Sequence, residues 1–168
     1  GRDSESTLPV WSAKDGFPGD RVYREFHKDL GWELPATKLQ EKGISSKRPL
    51  GLKFHKITDE NVPLGKKEFY QETEAIKKAE EHADAYLQSR LKQLEKLTLS
   101  SSFNPLLVAP FDAELFGHWW YEGPIFLKNI LKKSSRYLIK LTNLKEFLMP
   151  SPNPVSYTHL RAHETDRH

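Results

Sequence analysis

Between residues 69 and 99, Ile76, Ala79, Ala83, Tyr86 or Leu87, Leu91, Leu94 and Leu97 return every three to four positions, and Glu and Lys cover the opposite side. The pattern predicts one long amphipathic helix that packs a single stripe onto another element, with His82 and Asp84 on its solvated face. The alanines suit close packing against strands; a coiled coil is the alternative partner. Residues 100–104 end the helix. Leu106, Leu107, Val108 and Ala109 follow with no period-two alternation, as in a strand covered on both faces, and Pro110 closes it. Helix, short loop and buried strand make a right-handed crossover unit, so the predicted class is α/β.

Asp112 then falls just beyond the carboxyl end of a buried strand, where barrels and open α/β sheets carry their chemistry. Around it Glu114, His118, Trp119, Trp120, Tyr121 and Glu122 form a set too polar to bury cheaply, since carboxylates lose hydration and need partners. Flat aromatic faces stack on sugar rings or bases, and acids hydrogen-bond hydroxyls or transfer protons, so the set suits a ligand-facing loop. The plainer alternative stays open: an acid after a strand is often a turn former or cap, and adjacent tryptophans are often partly buried core.

The rest of the chain is read relative to that loop. Residues 1–34 form a long functional loop, with turn chemistry in GFPGD (16–20) and about two helical turns over 21–30 ending at Gly31. Trp11 stands exposed before the turn, where a lone tryptophan usually packs on its own loop. Arg24 beside Glu25 reads as a structural ion pair. Residues 38–48 are a polar surface linker and 50–58 a strand, whose His55 has no neighbour at metal-ligand spacing. Gly123 and Pro124 start a helix over 124–133. A strand or extended edge over 137–141 and a short helix over 144–148, stopped by Pro150, complete the pattern.

The stretch FDAELFGHWWYEGP, from Phe111 to Pro124, closely resembles the acid/base motif of glycoside hydrolase family 57, in the form found in its 1,4-α-glucan branching enzymes. The likeness continues upstream through VWSAKDGFPGDRVYREFHKDLGWEL and the long helix, covering most of residues 10–152. The resemblance implies the C-terminal part of an incomplete (β/α)7 barrel, truncated at both ends. Residues 1–154 would belong to the catalytic barrel, with a long loop insertion at 1–48. It implies Asp112 as the catalytic acid/base, a glutamate nucleophile on a segment upstream of this chain, and Trp11, His118, Trp119 and Trp120 along the substrate cleft. The substrate would be an α-1,4-glucan such as amylose or glycogen, with no metal and no organic cofactor. The chain alone would be inactive for want of the nucleophile. A non-catalytic glucan-binding module, an amylase or 4-α-glucanotransferase of the same family, and a helical interaction protein are the alternatives.

Composition narrows this further. At 168 residues the chain is shorter than the roughly 250 of a complete barrel, and it begins Gly-Arg-Asp without methionine, as a piece of a longer reading frame would. The net charge of +3 comes from interspersed Lys and Glu, so nucleic acid is not indicated. There is no cysteine for disulfides or thiolate ligands, and no apolar run approaches a membrane span. A cytoplasmic protein is expected; oligomeric state is not legible. Residues 155–168 hold three of the seven histidines without any period, and resemble a read-through tail left by a sequencing adaptor.

Overall fold

The predicted long helix is the spine of the molecule. The computed structural model describes residues 2–59, 61–102 and 104–148, and its α-helices are α1 (Ser4–Trp11), α2 (Leu30–Glu33), α3 (Ala36–Glu41), α4 (Glu72–Ser100), α5 (Gly123–Lys133) and α6 (Leu144–Leu148). Twenty-nine residues give α4 a length of about 43 Å. Its buried positions Ala75, Ala79, Ala83, Tyr86 and Leu87 step by three or four. The three alanines carry so little side chain that α5 and the loop after α1 lie close against the backbone. From α5, Phe126 and Ile130 enter the same core, Phe126 meeting Tyr86 edge-on with ring centroids 5.7 Å apart. Beyond Arg90 the stripe loses its cover, and Leu99 is 91% exposed.

Polar ties fix what the stripe leaves loose. Asp3 caps α1, its Oδ2 accepting the Ser6 N–H at 2.7 Å. The buried Arg90 reaches across from α4 to donate to Ser6 Oγ at 2.6 Å and Glu5 Oε1 at 3.2 Å. Asp84 takes Lys133 Nζ at 2.8 Å and the Tyr137 hydroxyl at 3.1 Å, which holds the end of α5 and the short 3-10 turn Ser134–Tyr137. The hydroxyl of the fully buried Tyr23 and His82 Nδ1 share a hydrogen bond of 2.8 Å, and Nε2 faces Asp20 at 3.4 Å. The expectation that His82 and Asp84 sit on a solvated face is therefore corrected. Both fasten loops to the helix, and the periodicity that located the apolar stripe says nothing of polar residues on its margin.

The expected strands are not formed. Among the described residues there are only isolated bridges, antiparallel for Arg24 with Lys56 and for His55 with Phe69, and parallel for Phe116 with Trp120. Residues 106–109 are half-buried and belong to no helix or strand, and among the described residues their backbone bond to another segment is from Asp3 N–H to Val108 C=O, at 2.9 Å. A strand exists only where neighbours take its N–H and C=O groups, and within the described residues none lies alongside. The crossover unit is consequently absent, and the α/β expectation is met in its helical half alone. The strand over 50–58 reduces to single pairings of its second half, with Leu52 and Phe54 exposed. At 137–141 the chain runs from the 3-10 turn into a coil.

Two further expectations change. Residues 21–29 are not helical, because Asp20 Oδ1 accepts the Val22 N–H at 3.1 Å in a local turn and Glu25 N–H is then taken by His55 C=O at 2.9 Å; a helix starts only at Leu30, and Gly31 lies inside it. The polar stretch 38–48 begins inside α3, which Gly43 ends at φ 75°. Pro150 and residues 151–168 lie outside the described residues. Among the described residues no helix is long and apolar enough to cross a membrane.

The Tyr23–His82–Asp20 tie carries a pH signature. Burial holds the His82 imidazole below its usual 6.5, against the pull of Asp20. Its contribution to stability is therefore complete above 6.5 and is lost as pH falls through the depressed folded value. His82→Ala should cost about 1–3 kcal/mol at pH 7.5, because it strands the Tyr23 hydroxyl. The gap to wild type should shrink toward pH 5 in urea titrations; a gap that widens on acidification contradicts this arrangement.

Candidate active site

The loop after residues 106–109 is shaped by its own backbone. Asp112 precedes a 3-10 turn, Ala113–Leu115, after which Trp120 N–H returns to Leu115 C=O and Gly117 N–H to Trp120 C=O, both at 2.8 Å. Gly117 makes the reversal at φ 95°, a conformation that side-chain-bearing residues rarely adopt. The apolar members Leu115 and Trp120 turn inward, and Glu114, His118 and Trp119 turn out. Gly123, opening α5, has no room for a side chain, because a Cβ there would stand 2.8 Å from the Phe116 ring. The sequence thus alternates anchors and projecting groups within eleven residues.

A cleft of about 1060 Å³ lies between this loop and the segment after α1. Asp112, Glu114, Trp119 and Trp120 line it from one side, and Trp11, Arg24, Glu25 and Phe26 from the other. Asp112 is exposed, and its carboxylate makes no hydrogen bond or ion pair among the described residues. Trp11, the last residue of α1, is 40% exposed. Trp119 is 53% exposed and stacks on Phe26 with ring centroids 4.5 Å apart at 29°, so one face is supported from below. Lys53 Nζ lies over the Phe26 ring at 4.0 Å.

The other two predicted site residues occupy different positions. Trp120 borders the cleft but is only 2% exposed, its ring taken up by Tyr23, Phe116 and Phe126. It is a floor residue with no free face for stacking. His118 is exposed and sits edge-on to both Phe26 and Trp119, at 5.6 and 5.4 Å, outside the cleft lining. The packing reading of adjacent tryptophans thus applies to Trp120 and the projecting one to Trp119.

Four charged groups of the cleft form two ion pairs, Glu25 with Lys67 and Arg21 with Asp59. Glu25 is buried against Lys67 at 2.7 Å and also accepts the His27 N–H at 2.9 Å. Burial would raise its pKa, but the Lys67 hydrogen bond and charge outweigh this and hold the carboxyl below the usual range. The expected Arg24–Glu25 pair is therefore absent. Arg21 pairs with Asp59 at 2.8 Å. Among the described residues no cluster of His, Asp and Glu has the geometry of a metal site.

Glu122 joins the two walls. It is fully buried at the head of α5, and its Oε1 accepts the Arg24 backbone N–H at 3.1 Å. Burial raises its pKa, opposed by the Tyr70 hydroxyl and the Arg24 N–H, while Oε2 has no hydrogen-bond partner. Sequence reasoning found Glu122 only as a member of the loop, and it did not find Phe26 or the Lys67 pairing. Of residues 23–26, Tyr23 enters the core while Arg24, Glu25 and Phe26 all line the cleft.

No family model matches the chain. It is 35% identical over 147 residues to a 1,4-alpha-glucan branching enzyme of Thermococcus kodakarensis, a match that covers 88% of this chain and 19% of the relative. The chain is homologous to a segment of glycoside hydrolase family 57. The solved structure of a family 57 branching enzyme from Thermococcus kodakaraensis, in complex with glucose and additives, superposes with a TM-score of 0.73 at 33% identity, over 94% of this chain and 25% of that one. The alpha-amylase AmyC from Thermotoga maritima does so with a TM-score of 0.82 at 36% identity, over 90% and 30%. The chain thus spans about a fifth of the curated family 57 relative it matches.

The buried carboxyl predicts a direction. A raised folded pKa means that the stability linked to Glu122 is complete below its usual 4.5 and is lost as pH rises through the folded value. Glu122→Gln keeps an acceptor for Arg24 and removes the charge, so relative to wild type it should gain stability between pH 5 and pH 8. Glu122→Ala strands the Arg24 N–H and should cost about 1–3 kcal/mol. Urea midpoints at the two pH values decide; a wild type that gains on Glu122→Gln as pH rises is the contrary result.

Proposed function

We propose that this chain is the acid/base-bearing segment of a retaining 1,4-α-glucan branching enzyme. The observation that carries the reading is Asp112, exposed and unpaired among the described residues, in a cleft with Trp11 and Trp119, on a segment homologous to family 57 branching enzymes. Residues 1–154 belong on this reading to an incomplete (β/α)7 barrel, with a loop insertion at 1–48. The half-buried run 106–109 is then one barrel strand, whose neighbours come from the remainder of the enzyme. Its open backbone and the uncovered end of α4 support that placement.

A glucan chain would lie along the cleft with a ring on Trp119, backed by Phe26 and His118, and a second platform at Trp11. A glutamate from the remainder of the enzyme attacks the anomeric carbon, and Asp112 protonates the departing 4-oxygen. The covalent glucosyl-enzyme is then taken by a 6-hydroxyl, whose proton returns to Asp112. Retention places the two carboxyls about 5–5.5 Å apart. Trp120, packed as floor, and the paired Glu25 and Lys67 keep that side rigid and dry, which favours transfer to a sugar over transfer to water. The likeness to an alpha-amylase, with the higher TM-score, supports hydrolysis of the same bond as the second reading.

The 168-residue chain alone should show no branching, since removing one member of a cooperating pair leaves little beyond binding and electrostatic help. Exchanged for its counterpart in the Thermococcus enzyme, the segment should sustain branching, and Asp112→Asn in that chimaera should abolish it while glucan binding survives. Iodine staining of amylose before and after isoamylase debranching reads the outcome. Activity in the isolated chain, or undiminished turnover in the Asp112→Asn chimaera, contradicts the assignment; reducing ends without branches select the amylase reading.

A further inference from the structure

Arg24 lines the cleft, and the acid/base reading leaves it unused. Its guanidinium lies 3.5 Å from the centre of the Tyr121 ring. Its main chain is fixed from two sides, by the Glu122 carboxylate on its N–H and by its bridge to Lys56. Two acids of the cleft are engaged elsewhere, Glu25 with Lys67 and Asp59 with Arg21, and Glu122 accepts the backbone N–H of Arg24 itself. Among the described residues the guanidinium has neither an ion pair nor a hydrogen bond. A half-buried fork of five donors thus lies over an aromatic ring, on a residue that lines the cleft, with none of its donors spent among the described residues.

We infer that Arg24 is a substrate-binding residue, whose guanidinium takes the neighbouring 2- and 3-hydroxyls of one glucosyl unit of a chain lying across the cleft. The inference rests on the glucan reading above and names a contact that the reading does not require. An α-1,4-linked chain keeps both of these hydroxyls free on every interior unit, and two adjacent oxygens match a planar fork better than a single ammonium does. A fixed guanidinium also loses little conformational freedom on binding, because the Tyr121 stack has already ordered it. An anionic ligand is the less suitable occupant, since Asp112 and Glu114 share the cleft and would repel it.

Maltoheptaose titrated calorimetrically into the 168-residue chain tests this, with Trp119→Ala as the control for the cleft itself. Arg24→Met keeps a stem over Tyr121 and removes the donors. It should weaken binding by about tenfold or more, the worth of a hydrogen bond to a charged group, with an unchanged melting temperature. Arg24→Lys, with charge but no fork, should fall between Arg24→Met and wild type. Wild-type affinity in Arg24→Met, together with loss in Trp119→Ala, overturns the role of Arg24 and leaves the glucan reading standing. A loss that follows a lowered melting temperature equally in both Arg24 variants makes the residue structural and also overturns it. Absence of maltoheptaose binding in the wild-type chain sinks the glucan reading and this inference with it.

Discussion

The cleft depends on one buried contact, the Glu122 carboxylate on the Arg24 N–H. Placing a carboxylate at zero exposure is expensive, and the fold reduces that cost in two ways. It puts the group at the head of α5, where unpaired helix N–H groups favour negative charge, and it supplies the Arg24 N–H directly. In return, two segments almost a hundred residues apart in sequence are held at a fixed spacing. The neighbouring tie from Tyr23 through His82 to Asp20 seats the same segment on α4. Loosening either tie would separate Trp11 and Phe26 from Asp112 and Trp119.

These ties also explain the division of labour among the aromatic residues. Trp120 and Tyr23 meet at 5.5 Å in the core, beneath the contact that joins the walls. Trp119 is turned outward by the Gly117 reversal and is braced by Phe26 and His118. One tryptophan of the adjacent pair is therefore scaffold and the other is surface. A sugar-stacking site needs both kinds, since a platform that moved with its ligand would lose the benefit of being ordered beforehand.

Elements specified by neighbouring residues were legible in the sequence. The stripe from Ala79 to Leu87, the Gly-Pro start of α5 and the short helix Leu144–Leu148 need only a 3.6-residue period and local caps, although the buried position one turn earlier is Ala75 and not the expected Ile76. Helix Ser4–Trp11 lies in the stretch read as a loop, and it is held by Asp3 at its cap and by Arg90, from far along the chain, with Pro9 inside it. The run 106–109 carries the composition of a buried strand, but pairing is a property of two segments, and within the described residues its neighbours are absent. Asp112 and Trp119 were legible as site candidates because the motif places unlike groups close together. Phe26 and the Glu25–Lys67 pair were not, because reading 21–30 as a helix scrambles which side chains share a face.

The account turns on a glucan chain lying between Trp11 and Trp119 above Asp112. The chain has four tryptophans, so the indole N–H signals of a nitrogen-15-labelled sample give four separate reporters, assignable by single Trp→Phe variants. Trp32, exposed and outside the cleft lining, serves as the internal reference. On titration with maltoheptaose the signals of Trp119 and Trp11 should shift together along one saturating curve, while Trp32 stays in place. A response at Trp32 alone, or four unmoved signals at saturating sugar, would contradict it.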